Sequence, residues 1–206
     1  MARTVEDLQT ACETLSGRHI LDPSSCDVAL YGEETPRRAA VVRNIPGVDL
    51  PGSALSAIDR VEEIMISAGW ETEEVQPPEL EAVHEIWGYV LSTNFKPMVD
   101  DPEMFPSLMS KELVSMWAYI FDRFDPERKS VFDLFTERAR LSALWDKFFV
   151  DYPVMIGPVW TDIQFINGSD LTGEAGYATT IDLLRFISPA NLLGLPSVAL
   201  TTGEVD

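Results

Sequence analysis

The chain has 206 residues, of which 46% are hydrophobic and 10% aromatic. This composition excludes disorder, and no apolar run reaches the ~18 residues that a membrane span requires. The chain has 15 Lys and Arg and 34 Asp and Glu. The formal net charge of -19 disfavours binding to nucleic acid or to an anionic membrane surface. Two cysteines, Cys12 and Cys26, are too few for a disulfide framework. We therefore expect residues 1–206 to form a single domain in the cytoplasm.

The first 36 residues predict one helix followed by a loop. Thr4, with acidic residues in the turn after it, is typical of a helix N-cap, so the helix is expected to begin at residue 5. This N-terminal segment does not resemble a signal peptide. The apolar positions on one face of this helix are Leu8, Ala11, Cys12 and Leu15. We interpret Cys12 as a core residue, and residues 19–36, with two prolines, as a loop.

The next segment predicts a strand, a helix and a second strand. Residues 39–42 are a short apolar run, typical of a strand that is buried on both faces. From Ser53 the apolar positions recur at helical spacing, and the pattern ends at Gly69. Residues 70–75 then predict another strand. Strand, helix and strand in this order form a parallel crossover unit, so the predicted fold class is α/β.

Beyond residue 79 the pattern continues with helices and short strands. One helix begins near Glu79 with His84 on its apolar face, and another long helix follows Pro126. Between them, residues 95–124 hold four of the seven methionines, which fits either an irregular core or a pocket for apolar substrates. The later predictions are a strand at 154–156, a loop at 162–176, a short helix at 178–186 and a fourth strand at 195–201.

No catalytic constellation is visible in the sequence. Hydrolysis needs a nucleophile beside a base, or a metal with an open coordination position. The two histidines, His19 and His84, stand far apart and have no Cys or paired carboxylates at ligand spacing. Neither a Gly-x-Ser-x-Gly elbow nor a glycine-rich phosphate loop is present. We therefore expect no metal, no cofactor and no catalytic residue in this chain, and interpret His84 as a core histidine.

Several motifs, in order along nearly the whole chain, resemble the amidase signature family. They are residues 1–8, 22–23, 38–42, 68–78, 145–152, 156–158 and 188–196. The most specific is Pro-Ala-Asn-Leu-x-Gly-x-Pro, from Pro189 to Pro196. Two positions depart from the family pattern, because Pro153 stands where Asp is usual and Gly157 where Thr is commoner.

The resemblance implies an amide hydrolase with a Ser nucleophile, a second Ser in a cis peptide, a Lys base and an oxyanion hole from a glycine-rich loop. In the family all of these precede the segment that residue 1 resembles. The resemblance therefore implies that the chain is the later part of an amidase domain, without the Ser-Ser-Lys residues. The implied fold is α/β, a partial mixed sheet flanked by helices that is incomplete relative to the family.

Trp160 and Thr161 are the candidate substrate-binding residues. They follow the third predicted strand, and open α/β sheets bind ligands beyond the carboxyl ends of their strands. We expect both residues to form a wall of the amide pocket. Asn191, in the specific motif, is expected to hold a turn before the fourth strand.

Two functional hypotheses follow. In the first, the chain is part of an amide hydrolase that supports and walls the active site but is not catalytic alone. Its expected partners are a complementary amidase segment or a second copy of the chain, and a small-molecule amide once the site is complete. In the second, the chain is a non-catalytic binding or assembly module that keeps the amidase scaffold. Neither hypothesis includes a nucleic-acid or membrane partner.

Overall fold

The structure, a computed structural model, describes residues 2–27, 29–32, 34–104, 107–162 and 166–203. These residues form two compact units, the first up to Thr35 and the second from Pro36 onward. None of the helices in the described ranges combines the length and apolar character that a bilayer span needs.

The first unit contains helix α1 (Val5–Leu15) and a series of turns. Thr4 Oγ1 accepts a hydrogen bond of 3.1 Å from the Asp7 amide, so the predicted N-cap is confirmed. No residue of α1 is buried, and the Cys12 thiol is exposed. The interpretation of Cys12 as a core residue is therefore wrong. The described part of this unit offers no second helix or sheet to cover the apolar face of α1.

The second unit contains three strands and six α-helices among its described residues. In chain order these are β1 (Arg38–Val41), α2 (Gly52–Ser67), β2 (Glu71–Glu74), α3 (Leu80–Asp100), α4 (Lys111–Arg123), α5 (Val131–Asp151), β3 (Val154–Ile156), α6 (Glu174–Leu183) and α7 (Ser188–Leu193). A short 3₁₀ helix, Ser169–Leu171, precedes α6.

The three strands form a parallel sheet in the order β2-β1-β3. The central residue Ala40 lies opposite Glu73 on one side and Met155 on the other. Ala39, Ala40 and Val41 are fully buried, as expected for a central parallel strand. The α/β fold class and the parallel crossover from β1 through α2 to β2 are confirmed.

The two faces of the sheet pack against different layers. On one face Ala39 and Val41 contact Ile58 of α2 in a small core. On the other face Val42 belongs to the main core, which is built largely by α3, α4 and α5. This division follows from the two-residue period of a strand, which sends successive side chains to opposite faces.

Trp145 of α5 lies at the centre of the main core and is fully buried. Its indole Nε1 donates a hydrogen bond of 2.9 Å to the carbonyl of Pro78, which precedes α3. A buried indole N–H needs such an acceptor. Trp145 therefore ties the chain leaving β2 to the helix that leads into β3.

The aromatic and methionine-rich region packs into the same core. Trp117 of α4 is buried, and its ring stacks on Phe95 at a centroid distance of 4.7 Å and on Phe121 at 5.5 Å. Met109 and Met116 are partly buried against the same cluster. Met98 and Met104 are exposed, and Phe105 lies outside the described residues. The packing therefore supports the core interpretation for the aromatic cluster with Met109 and Met116.

Two predicted elements differ from the structure. The helix expected at residues 178–186 is α6, which begins at Glu174, because Gly176 lies inside the helix instead of ending a loop. A Cβ at Gly176 would stand 2.4 Å from the carbonyl oxygen of Ser169, so the glycine permits close packing against the 3₁₀ helix.

The fourth strand at residues 195–201 is wrong. This segment has no regular structure, and its residues from Pro196 to Thr201 are exposed. Arg60 donates to the carbonyl of Thr202, which places the end of the segment beside α2. Alternating Val198 and Leu200 favour an extended chain, but a strand also needs a hydrogen-bonded neighbour, and no described strand pairs with this segment.

We expect Trp145→Ala to lower the free energy of unfolding by about 3–5 kcal/mol, because it empties a filled core position. Trp145→Phe is expected to cost about 1–3 kcal/mol, since the Pro78 carbonyl then loses its donor. The measurement is urea unfolding followed by circular dichroism. The control is Phe132→Ala on the same helix, where the side chain is 77% exposed and a change within about 0.5 kcal/mol is expected. Equal costs at positions 132 and 145 would contradict the packing described here.

Candidate functional site

The carboxyl ends of the three parallel strands lie at one edge of the sheet, where α/β proteins bind ligands. The segments that leave the sheet there include residues 42–47 after β1 and residues 157–162 after β3. The segment after β3 carries Trp160 and Thr161. The sequence-predicted residues therefore lie beyond a strand end, at the position expected for them.

Thr161 is held by the C-terminal end of α6. Its side chain is buried, its Oγ1 donates to the Asp182 carbonyl at 3.3 Å, and its amide donates to the Leu183 carbonyl at 3.4 Å. The last carbonyls of a helix have no partners within the helix and are free to accept such bonds. Trp160, the neighbouring residue, is half-buried. Thr161 thus anchors the segment, and Trp160 is the more exposed of the two.

Gly157, at the start of the same segment, lies directly under the ring of Phe186. A Cβ at this position would stand 2.1 Å from Phe186 Cζ, which is far too close for two non-bonded carbon atoms. Gly157 is one of the two departures from the family pattern. Because Gly157 has no side chain, the Phe186 ring can pack directly against the chain that leaves β3.

Asp182 lies at the centre of a charged cluster next to these residues. Its Oδ1 accepts from Arg123 Nη2 at 2.8 Å and from Arg185 Nη2 at 3.2 Å. Burial opposes the charge on Arg123, but the hydrogen bond and charge of Asp182 outweigh it and raise the pKa of Arg123. Arg185 Nη1 also lies 3.5 Å from the Pro46 carbonyl and 3.7 Å from Glu81 Oε1. One cluster therefore joins α4, α6, α3 and the segment after β1.

His84 and Ser188 form a hydrogen-bonded pair that sequence analysis missed. His84 Nδ1 lies 3.3 Å from Ser188 Oγ, and both residues are buried. The Ser188 hydroxyl donates its single hydrogen to the Arg185 carbonyl at 3.0 Å, so the His84 Nδ1–H donates to Ser188 Oγ. The two residues are 104 positions apart, and no local pattern connects them.

This pair is structural and not a nucleophile with its base. Ser188 has no exposed surface, so no substrate carbonyl reaches its oxygen, and its proton is already committed to a backbone carbonyl. Burial, and secondarily the charge of Arg185, lower the pKa of His84 to about 4. The interpretation of His84 as a core histidine agrees with this geometry.

Two hollows flank the region. A surface cleft with an empty volume of about 150 Å³ is lined by Ile45, Pro46, Leu80, Glu81, His84 and Arg185, and its walls leave no interior space for a water-sized molecule. A second hollow, with an empty volume of about 480 Å³, lies between the 3₁₀ helix and α6, and four of its seven lining residues are Ser or Thr. Within the described ranges, no group of three or more His, Cys, Asp or Glu side chains is placed to hold a metal ion.

Comparisons with known proteins give a consistent result. A family model for amidases matches residues 1–206. The indoleacetamide hydrolase of Bradyrhizobium diazoefficiens is 26% identical over 219 residues, covering 99% of this chain and 40% of that protein. The indoleacetamide hydrolase of Bradyrhizobium japonicum is 25% identical, covering 97% of this chain and 43% of that protein.

Among solved structures, a fatty acid amide hydrolase matches with a TM-score of 0.57 at 16% identity, over 90% of this chain and 34% of that one. This match shows the shared fold. The parallel sheet with helices on both faces defines an α/β protein, and the chain belongs to the amidase family. It spans about two fifths of the length of the two curated relatives. The resemblance seen in the sequence motifs is thus confirmed.

The specific motif at residues 189–196 adopts a different structure from the predicted turn and strand. It forms α7, which ends at Gly194 with φ of 72°, a conformation suited to glycine. Pro189 lies in the first turn of the helix and is buried, whereas Asn191 is exposed. The buried Ser188 holds this segment by its hydrogen bonds to His84 and to the Arg185 carbonyl. The predicted role of Asn191 in holding the turn therefore falls to Ser188.

Gly157→Ala is expected to lower the free energy of unfolding by about 1–3 kcal/mol, because Phe186 must leave its position. Gly52→Ala is the matched control, since a Cβ there meets no atom within 4 Å. The double variant Gly157→Ala with Phe186→Leu should recover part of the loss, as measured in a double-mutant cycle of urea unfolding. Independent, additive costs would contradict the contact.

His84 predicts a specific pH dependence of stability. Because the folded-state pKa is lowered from 6.5 to about 4, the unfolded chain takes up the proton first as the pH falls. His84 therefore stabilises the fold above pH 6.5, and this contribution, about 3 kcal/mol at most, is lost between pH 6.5 and 4. In urea unfolding at several pH values, His84→Gln should show a shallower fall over this window than the unmodified chain. A fall in His84→Gln as steep as that of the unmodified chain over this window would contradict the assignment.

Proposed function

We propose that this chain is the later part of an amide hydrolase, in which it supports and walls the active site while another segment supplies the nucleophile and the base. Both units belong to one amidase domain in this proposal. The observation that carries it is the Trp160–Thr161 segment, which leaves the carboxyl end of β3 in a chain of the amidase family. That edge of an α/β sheet is where substrates bind.

The geometry of the segment supports a wall. A binding wall needs a fixed backbone and an accessible apolar surface. Thr161 provides the first, through its two hydrogen bonds to the end of α6. Trp160, which is half-buried, provides the second. In the proposed site Trp160 contacts the substrate, and Thr161 lines the base of the wall and orients it.

A small aromatic amide is the substrate class to test first. The two curated relatives are named indoleacetamide hydrolases, and a planar aromatic substrate stacks favourably on an indole ring. The two exposed cysteines, Cys12 and Cys26, fit a reducing compartment, so we place the reaction in the cytoplasm.

The open sheet supports the proposal of a complementary segment. In the described sheet β2 and β3 are each paired on one side only, and unpaired strand edges favour the addition of further strands. Strand addition also buries apolar surface, which contributes about 25 cal/mol per Å² before the entropy of association is subtracted. A second copy of the chain is the competing occupant of these edges.

The test is complementation. The chain alone should hydrolyse indoleacetamide at the background rate, because a nucleophile, its base and an oxyanion hole together account for many orders of magnitude in rate. Mixed with a separately produced segment that carries the family's Ser, Ser and Lys elements, it should give a heterodimer with amidase activity. Size-exclusion chromatography with light scattering and product release measure the two properties.

Within the active complex, Trp160→Ala is expected to raise KM for aryl amides about tenfold relative to alkyl amides, since it removes the aromatic wall. Trp160→Phe should keep most of that preference, and the exposed Phe132→Ala serves as control. Activity of the chain alone that a variant within residues 1–206 abolishes would refute the proposal. A stable complex without hydrolysis of any amide would instead favour a non-catalytic module, and a homodimer would identify the second copy as the partner.

A further inference from the structure

We propose that Arg185 is a positioning residue, whose guanidinium couples the segment after β1 to the end of α6 and thereby sets the orientation of the Trp160 wall. The role of the wall in substrate binding rests on the proposed function. The coupling itself is a property of this chain and is measurable without any hydrolysis.

The first step concerns what orients the wall. Both hydrogen bonds of Thr161 end on carbonyls in the last turn of α6, those of Asp182 and Leu183. A displacement of this turn therefore carries Thr161, and with it Trp160, in the same direction. The orientation of the wall depends on whatever holds the end of α6.

The second step identifies what holds that turn. The Asp182 carboxylate is bound by Arg123 of α4 and by Arg185. Arg185 alone of these two cations also reaches the segment after β1, through the Pro46 carbonyl, and the first turn of α3, through Glu81. Its own carbonyl accepts from Ser188, which starts α7. Arg185 thus links the segment after β1, through the Pro46 carbonyl, to the turn of α6 that holds Thr161.

The third step concerns the choice of arginine. A planar guanidinium directs several N–H donors at once, whereas a lysine ammonium is a compact point charge at the end of a flexible stem. The Arg185 side chain is only 20% exposed, so its bonds are partly shielded from water. Its Nε is buried without a partner within the described residues.

The fourth step concerns the charges that face Arg185. They are the carboxylates of Asp182 and Glu81 and the cation of Arg123, and the imidazole of His84 is the neutral neighbour. Two carboxylates balance two cations, so the cluster has no net charge near neutral pH. Removal of the Arg185 guanidinium gives the cluster a net negative charge and leaves Asp182 with one of its two cationic partners, which weakens the hold on the end of α6.

The experiment uses the 206-residue chain with 5-fluorotryptophan at its five Trp positions and assigns the Trp160 resonance by Trp160→Phe. Arg185→Met should shift or broaden the Trp160 fluorine resonance and speed amide exchange at Thr161 about tenfold. Arg185→Lys should restore the charge but only part of both signals. The resonance of Trp70, which packs in the small core beside α2, should stay in place and report an intact fold.

Two controls separate positioning from general destabilisation. Arg128→Met removes a 66% exposed arginine that pairs within its own turn and should move neither signal. If Arg185→Met does not fold, Asp182→Asn breaks the same link with a smaller change and gives the same two readouts. A general loss of stability would move all five Trp resonances together and would overturn the proposal.

In the complemented enzyme, Arg185→Met should raise KM for aryl amides about tenfold while kcat changes less than about twofold, because the wall contributes binding and not chemistry. An unmoved Trp160 resonance with unchanged Thr161 exchange in Arg185→Met and Asp182→Asn overturns the coupling. A moved resonance combined with kinetics that are insensitive to Trp160→Ala keeps the coupling and refutes the proposed wall, so the two failures are distinguishable.

Discussion

The complete burial of β1 is the constraint on which the second unit depends. Ala39, Ala40 and Val41 have no exposed surface, so their backbone amides and carbonyls cannot bond to water and must pair with neighbouring strands. Both neighbours, β2 and β3, run parallel to β1. Parallel pairing brings all three carboxyl ends to one edge, and the segments that carry Pro46 and Trp160 therefore leave the sheet on the same side.

Local sequence pattern was sufficient to predict β1, α2 and β3, three of the elements in or against the sheet. The apolar run at 39–42, the helical spacing after Ser53 and the short strand at 154–156 are decided by neighbours along the chain, and the structure contains all three. Cys12 and residues 195–201 show the limit of such patterns. An apolar helix face shows which side chains could be buried, and an alternating segment shows which residues could pair as a strand. Burial and pairing also require a second surface, and that surface is distant in sequence.

The same limit explains what sequence reasoning missed at the candidate site. Trp160 and Thr161 could be placed from the strand before them and from the family resemblance. The contacts that hold them could not, because Asp182 meets Arg123 across 59 positions and His84 meets Ser188 across 104. Neither pair has a spacing that any periodic element produces. The substrate role of Trp160 and Thr161 remains a proposal, whereas their place in the fold is a structural observation.

Acidic residues outnumber basic residues in this chain, so a single arginine can bind several carboxylates at once. Arg43 is bound by Asp59, Glu62 and Glu74, which joins the end of β1 to α2 and β2. Its pKa is raised, chiefly by its hydrogen bonds to Glu62 and Asp59. Its pairs with Asp59 and Glu74, whose side chains are 57% and 60% exposed, contribute at most about 1 kcal/mol each, so their main effect is to fix geometry. Arg185 differs from Arg43 in what it joins, since its partners lie in the segment after β1, in the first turn of α3 and at the end of α6, which holds Thr161.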